Sequence, residues 1–199
     1  MPTILSHPAV PLALGLGLGS HIVSRPLLLA GVVASVLPDL DVLAFRFGIA
    51  YSHAAGHRGI SHSLAFALLL GFFALLFARH LNASRRTAFA FVFVATASHG
   101  LLDMLTNGGM GVALLWPLSE ERFFFPFQVV EASPLSVRRV FGPRGAAVFL
   151  SELLWVWLPA AAVFVAAVLV RRRMRSNPSI EGTSTSKLRS LAAAPHVKR

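Results

Sequence analysis

The chain has 199 residues, of which 55% are hydrophobic and 13% charged, with a formal net charge of +10 and a mean hydropathy of +0.69. A soluble domain carries about 25% charged residues, so this composition excludes an ordinary soluble fold and points to the bilayer as solvent. A nucleic-acid partner is not expected, because the Lys and Arg lie mainly between and after apolar runs, where they orient membrane proteins and meet anionic lipid.

The N-terminus lacks the basic region of a secretory signal, so no cleaved leader is expected. Ala9 to Ser24 and Pro26 to Leu37 are short apolar runs separated by Ser24-Arg25-Pro26, which reads as a tight helical hairpin or a partly re-entrant pair. Leu43 to Gly59 mixes Gly, aromatic and charged residues, too irregular to lie in lipid, where each unpaired backbone group costs several kcal/mol. Ser63 to Ala78 and Thr87 to Leu105 follow as spanning candidates, given that about 20 apolar residues cross the hydrocarbon core. Gly108 to Gly145 is again irregular and should cap the same membrane face as Leu43 to Gly59. Ala146 to Val170 is the third spanning candidate, with Trp155 and Trp157 as packing or lipid-facing residues. Leu115-Trp116-Pro117 and Phe123 to Phe127 suit the interface. From Ser176 the chain becomes a polar, basic tail without periodicity, expected to be solvated and disordered.

The expected fold is thus all-α: a polytopic membrane bundle of about four to five segments over residues 1–175, and a tail over 176–199. Alternating segments put Arg25, Arg79, Arg85, Arg86, Arg171 to Arg173 and Arg175 on one side, which the positive-inside rule makes cytoplasmic, the tail included. The bias is incomplete, since Arg46, Arg58, Arg122, Arg138, Arg139 and Arg144 lie opposite.

All three Asp residues, Asp39, Asp41 and Asp103, abut or lie within apolar segments, where one charge costs about 3 kcal/mol on insertion scales. Helix capping or an Arg partner would explain one of them alone. A second cluster, Gly56-His57-Arg58-Gly59-Ile60-Ser61-His62-Ser63, places two imidazoles on a Gly-containing turn before a spanning helix, with Ser61 as a candidate N-cap. In the third, Ser98 to Asp103, His99 and Asp103 are four apart and share a helix face. Taken singly this last spacing fits an ordinary buried His–Asp hydrogen bond.

Alternation changes the weight of these clusters, because it brings His7, Asp39, Asp41, His57, His62, His99 and Asp103 to the same membrane face. With no Cys in the chain, a metal must be held by His, carboxylate and water. Seven candidate donors exceed the four of one tetrahedral zinc, so either two ions or a supporting role for some of the seven is implied. Paired ions suit hydrolysis, with Asp39 or Asp41 available as a general base and Arg58 either neutralising developing charge or facing lipid phosphate. His21, His53, His80 and His196 are left out of the set by position.

The early His7, Pro38 to Asp41 (PDLD), Gly56 to Ser63 (GHRGISHS) and Ser98 to Gly109 (SHGLLDMLTNGG) followed by LLWP resemble the bacterial inner-membrane predicted metal-dependent hydrolases of the LexA-regulated type. The resemblance covers roughly residues 1–170, and Asn107 and Ser61 depart from the residues common there without removing a candidate ligand. More distantly, the His-x-x-x-Asp helix with upstream Asp and His is similar to zinc-dependent phospholipase C and related nucleases, which implies phosphoester chemistry. The reading is therefore a membrane-bound hydrolase of a small-molecule or lipid phosphoester, using a divalent metal, zinc first, with room for two ions. The competing readings are a divalent-metal transporter or sensor with the same ligands, and an interaction protein whose motif residues are structural. The candidates gather at one face without a polar ladder through the other half, which argues against transport.

Overall fold

A computed structural model describes residues 2–133 and 142–176, so the tail from 177 onward, with Arg138 and Arg139, lies outside the described residues. Among the described residues six α-helices carry the architecture: α1 (Ala9–Leu18), α2 (Arg25–Val36), α3 (Leu64–Leu76), α4 (Arg85–Met104) and the pair α5 (Pro143–Glu152) and α6 (Leu158–Ser176), the last two joined through a π-helical turn at Leu153–Trp157. The described residues contain no strand, only isolated bridges Thr106–Val130 and Val112–Phe123. The chain is a helical membrane bundle. Among the described residues three apolar elements are long enough to cross a membrane: Arg25–Phe47, Arg85–Met104 and Pro143–Met174.

Serine caps set several starts. The hydroxyls of Ser24, Ser63 and Ser84 accept from the backbone N–H of Leu27, Phe66 and Thr87, satisfying donors that a helix start leaves free. Ser63, not Ser61, is the cap of α3, because the Ser61 hydroxyl is drawn to the Asp41 carboxylate 2.6 Å away. Two expected boundaries also move. The run beginning at Pro26 does not stop at Leu37 but continues as a 3₁₀ helix, Leu37–Phe47, ended by Gly48 in the left-handed conformation. The Ser63 to Ala78 candidate forms only 13 helical residues, about 20 Å of rise, and is a short apolar helix. Pro143 to Gly145, expected in the irregular cap, already belongs to α5, where Pro sits without loss in the first turn.

α3 and α2 pack against α4, and α1 packs against α6. Val23, Leu27, Ala34, Ala74, Ala88, Phe91 and Val92 form the core between the first three, and Ala9, Val130 and Val156 join the cap to the last helix. Small residues permit the closest approaches, the packing mode expected where lipid supplies no hydrophobic drive between helices. A Cβ on Gly100 would stand 2.7 Å from the His62 carbonyl, so α4 meets the His62 turn only because residue 100 has none.

The candidate residues gather at one end of the bundle. His7 lies just before α1, Asp39 just after α2, His62 just before α3, and His99 and Asp103 in the last turns of α4. At the other end the two inter-helix turns are tied together by the Ser24 hydroxyl donating to the Leu81 carbonyl, and the Arg171 guanidinium donates to the Leu16 carbonyl near the end of α1. The irregular segments fold over the site end: Ala113 N–H donates to the Arg58 carbonyl at 3.0 Å and Leu64 N–H to the Leu114 carbonyl at 2.9 Å.

Candidate metal centre

His7, Asp39, His62, His99 and Asp103 surround one point, and each is at most 4% exposed. His99 is oriented from behind: its Nδ1 is 2.7 Å from the Ser35 carbonyl, which can only accept. The Nδ1 proton is thereby fixed, and the Nε2 lone pair is turned inward. His62 is oriented in the same way by a carboxylate, its Nδ1 lying 3.1 Å from Asp41 Oδ2. The two inward Nε2 atoms end 3.0 Å apart, with Asp103 Oδ2 3.1 Å from His62 Nε2 and Asp39 Oδ1 3.5 Å from His99 Nε2. Two imidazole nitrogens approach this closely when a proton or a metal ion lies between their lone pairs.

These distances fit a metal. Zinc–nitrogen and zinc–oxygen bonds of about 2.0–2.2 Å set tetrahedral donors about 3.3–3.6 Å apart, close to the separations above. The donors of Asp39, His62, His99 and Asp103 lie within 4.8 Å of one another. Both oxygens of Asp39, both nitrogens of His7 and Asp103 Oδ1 are buried with no hydrogen-bond partner. Buried polar atoms without partners cost roughly 1–3 kcal/mol each, and charged ones more; four of them, His7 Nε2 with both Asp39 oxygens and Asp103 Oδ1, face a place that could hold a cation.

Asp41 and His57 stand one step outward. Asp41 Oδ1 is 2.5 Å from His57 Nδ1, and Oδ2 accepts from the Ser61 hydroxyl at 2.6 Å and the Arg58 N–H at 3.0 Å while facing His62. Asp41, His57 and His62 also form a group whose donors lie within 4.8 Å, but every Asp41 oxygen there already has hydrogen-bond donors. The arrangement is the carboxylate–histidine pairing that fixes the ring orientation of a metal ligand.

Arg58 is 1% exposed, and each nitrogen of its guanidinium is bonded. Nε donates to Asp103 Oδ2 at 3.0 Å, Nη1 to the Gly108 carbonyl at 2.7 Å and Nη2 to Thr106 Oγ1 at 2.8 Å. Its backbone is left-handed, with φ 63°, a conformation that a non-glycine residue holds only under surrounding constraint. Gly59 beside it has room for no side chain, since a Cβ would come within 1.9 Å of the Ala54 carbonyl. The guanidinium faces Asp103 and the cap, not lipid phosphate.

The titration of the histidines agrees with this division. Burial, reinforced by neighbouring His99, holds His7 well below the ordinary imidazole range, so it is a neutral donor. Burial alone would depress His62 too, but the bonded carboxylates of Asp103 and Asp41 outweigh it and raise the ring to about 9. In the metal-free molecule the added proton on His62 is held by the Asp103 and Asp41 carboxylates.

One contributor escapes the motif reading. Glu152, 2% exposed at the end of α5, accepts from the Thr3 N–H and from the hydroxyls of Thr3 and Ser6, both at 2.7 Å. It thereby anchors the turn that carries His7, and the helix leaves its α-helical path immediately afterwards, as π-turns often do beside functional sites. Its signal in the sequence is that of the Asp residues, an acid inside an apolar run. Glu152→Ala is expected to lower stability by about 3 kcal/mol, from the loss of charge-assisted bonds, measured as a reduced unfolding temperature in detergent. An unchanged unfolding curve would refute the anchoring role.

His196 lies outside the described residues, and the three described histidines left out of the set stay away from the site. His53 is exposed with its Nδ1 accepting from the Ala55 N–H, and His21 and His80 belong to the opposite end.

The family model for the YdjM inner membrane protein matches residues 1–176, the whole of the described bundle with its His and Asp residues. The chain belongs to that family. It is 48% identical over 160 residues to Inner membrane protein YbcI of Escherichia coli (strain K12), covering 80% of this chain and 92% of that protein. No solved structure matches. As a YdjM-family protein with apolar helices, the chain sits in the bilayer of a bacterial inner membrane.

Proposed function

We propose that this YdjM-family protein is a membrane-bound metal-dependent hydrolase that acts on a phosphoester, of a lipid or a small molecule. The observation that carries the reading is the convergence of two inward-turned imidazoles on buried Asp39 and Asp103 oxygens that have no donor. A bound divalent ion, zinc first, supplies a water acidified toward neutrality and a Lewis acid for a phosphoryl oxygen. His62 and His99 would hold it with Asp39 and Asp103, while Asp41 and the Ser35 carbonyl keep the two rings turned inward. Arg58 acts through Asp103, whose carboxylate it aims and neutralises. Asp41, the least buried of the set, would act on the site through His62, whose Nδ1 it faces. The phosphoester class follows from the motif resemblance to zinc-dependent phospholipase C. The basic end opposite the site supports a cytoplasmic orientation for that end and a non-cytoplasmic face for the metal.

The test is turnover of a panel of phosphodiesters and phospholipids by the detergent-purified protein, with and without chelator. The expected result is hydrolysis that chelator abolishes, that added zinc or manganese restores, and that His62→Ala lacks. Metal bound at the site without turnover on any substrate would favour a metal sensor or transporter instead, which flux in proteoliposomes would then separate.

A further inference from the structure

Asp39 and Asp103 each turn their two oxygens toward different neighbours. Asp39 Oδ1 lies 3.5 Å from His99 Nε2, whereas Oδ2 lies 3.7 Å from His7 Nε2. Asp103 Oδ2 lies 3.1 Å from His62 Nε2, whereas Oδ1 lies 3.9 Å from His7 Nε2. The donors therefore sort into two sets that share both carboxylates. One comprises His62, His99, Asp39 Oδ1 and Asp103 Oδ2. The other comprises His7 Nε2, Asp39 Oδ2 and Asp103 Oδ1.

The second set is made entirely of buried atoms without a hydrogen-bond partner. His7 is stacked on His99, ring centroids 3.6 Å apart and planes 17° from parallel, so the two imidazoles present themselves side by side to the two halves. A cation in the first set would leave these three atoms unserved, and they have no hydrogen-bond partner among the described residues. Arg58, the one Arg or Lys among the described residues in contact with the centre, bonds to Asp103 Oδ2 and lies on the first side. Carboxylates that offer one oxygen to each of two ions are the usual frame of paired-metal sites, where a three-donor half keeps positions open for water or a phosphoryl oxygen.

We infer that the centre is dinuclear, with His7 as the terminal ligand of a second divalent cation that Asp39 and Asp103 bridge to the first. The inference rests on the metal-site reading above and sharpens it: the His7 half is the more open one, with a single imidazole, and is the place for the oxygens of a phosphoester. His7 is held there by the Glu152-anchored turn, and its other nitrogen is buried without a partner.

The experiment uses the full-length protein in detergent, loaded with Mn²⁺ or Zn²⁺ and freed of excess ion. Metal per chain is read by mass spectrometry, and electron paramagnetic resonance is recorded on the Mn²⁺ form. The expected result is two ions per wild-type chain with a spin-coupled manganese signal. His7→Ala and the size-conserving His7→Gln should each retain one ion and show an uncoupled manganese signal, with the helical circular dichroism of the wild type. One ion per wild-type chain, or two ions with a coupled signal in both His7 variants, overturns the second half-site and leaves the proposed hydrolase standing. No ion in the wild type overturns both.

Discussion

Replacing Asp103 with alanine is expected to abolish metal retention and to lower the unfolding temperature of the detergent-solubilised protein sharply. The two effects share a residue but have separate causes. Asp103 offers Oδ1 and Oδ2 to the candidate centre and at the same time accepts from Arg58 Nε at 3.0 Å, with both side chains at most 1% exposed. Removing one partner of a buried ion pair leaves an uncompensated charge and costs about 3–5 kcal/mol. Arg58 cannot escape to water, because its other donors are held by Gly108 and Thr106 inside the cap. Asp103→Asn separates the causes. An amide oxygen can still accept from Arg58 but is a far poorer metal donor, so this variant should keep most of the stability and lose at least about 10-fold in metal affinity, the scale seen when the surroundings of a ligand are altered. Arg58→Met should also destabilise, and combining it with Asp103→Leu should recover part of the loss, since paired apolar replacements of a buried ion pair are often near neutral. Wild-type unfolding and metal content in Asp103→Ala would remove Asp103 from both roles.

The gathering of the site was legible because each candidate ligand sits within a few residues of a helix end, and apolar runs that must cross a bilayer leave little freedom about which ends meet. His99 and Asp103 were legible from their four-residue spacing on α4. The different tasks of Asp39 and Asp41 were not. They lie two apart in the sequence, and only the 3₁₀ path of Leu37–Phe47, with three residues per turn, separates their directions by about two-thirds of a turn. That path sends Asp39 to the centre and Asp41 to the His57 to His62 turn. Arg58 was ambiguous for a related reason: its partners Thr106 and Gly108 are 48 and 50 residues away, in an irregular segment whose folding over the site no periodicity announces. Glu152 is the extreme case, its partners at Thr3 and Ser6 being 149 and 146 residues distant. An acid in an apolar run signals that it needs a partner without saying which.

Metal affinity is expected to climb with pH until His62 has lost its proton, and the stability of the metal-free protein is expected to move the opposite way. Burial opposes a charge on His62, but the carboxylates of Asp103 and Asp41 dominate and raise the ring from 6.5 to about 9. The metal-free fold therefore holds a proton that the unfolded chain releases near pH 6.5. The stability this proton confers is fully present below about pH 6.5 and is lost as the pH rises through about 9. A divalent cation needs the same Nε2 lone pair, so binding must expel that proton. Between about pH 7 and 9 the apparent affinity should rise about tenfold per unit, the slope of one displaced proton, and flatten above. The visible absorption of bound Co²⁺, titrated at a series of pH values, measures the affinity, and thermal unfolding of the chelator-treated protein measures the stability over the same range. His62→Gln should bind weakly and without the slope, since no proton remains there to displace. An affinity that does not change across the window would show that His62 is not where proton and metal compete, and the inward Nε2 of His99, whose Nδ1 proton is committed to the Ser35 carbonyl, would then have to hold the ion without its neighbour.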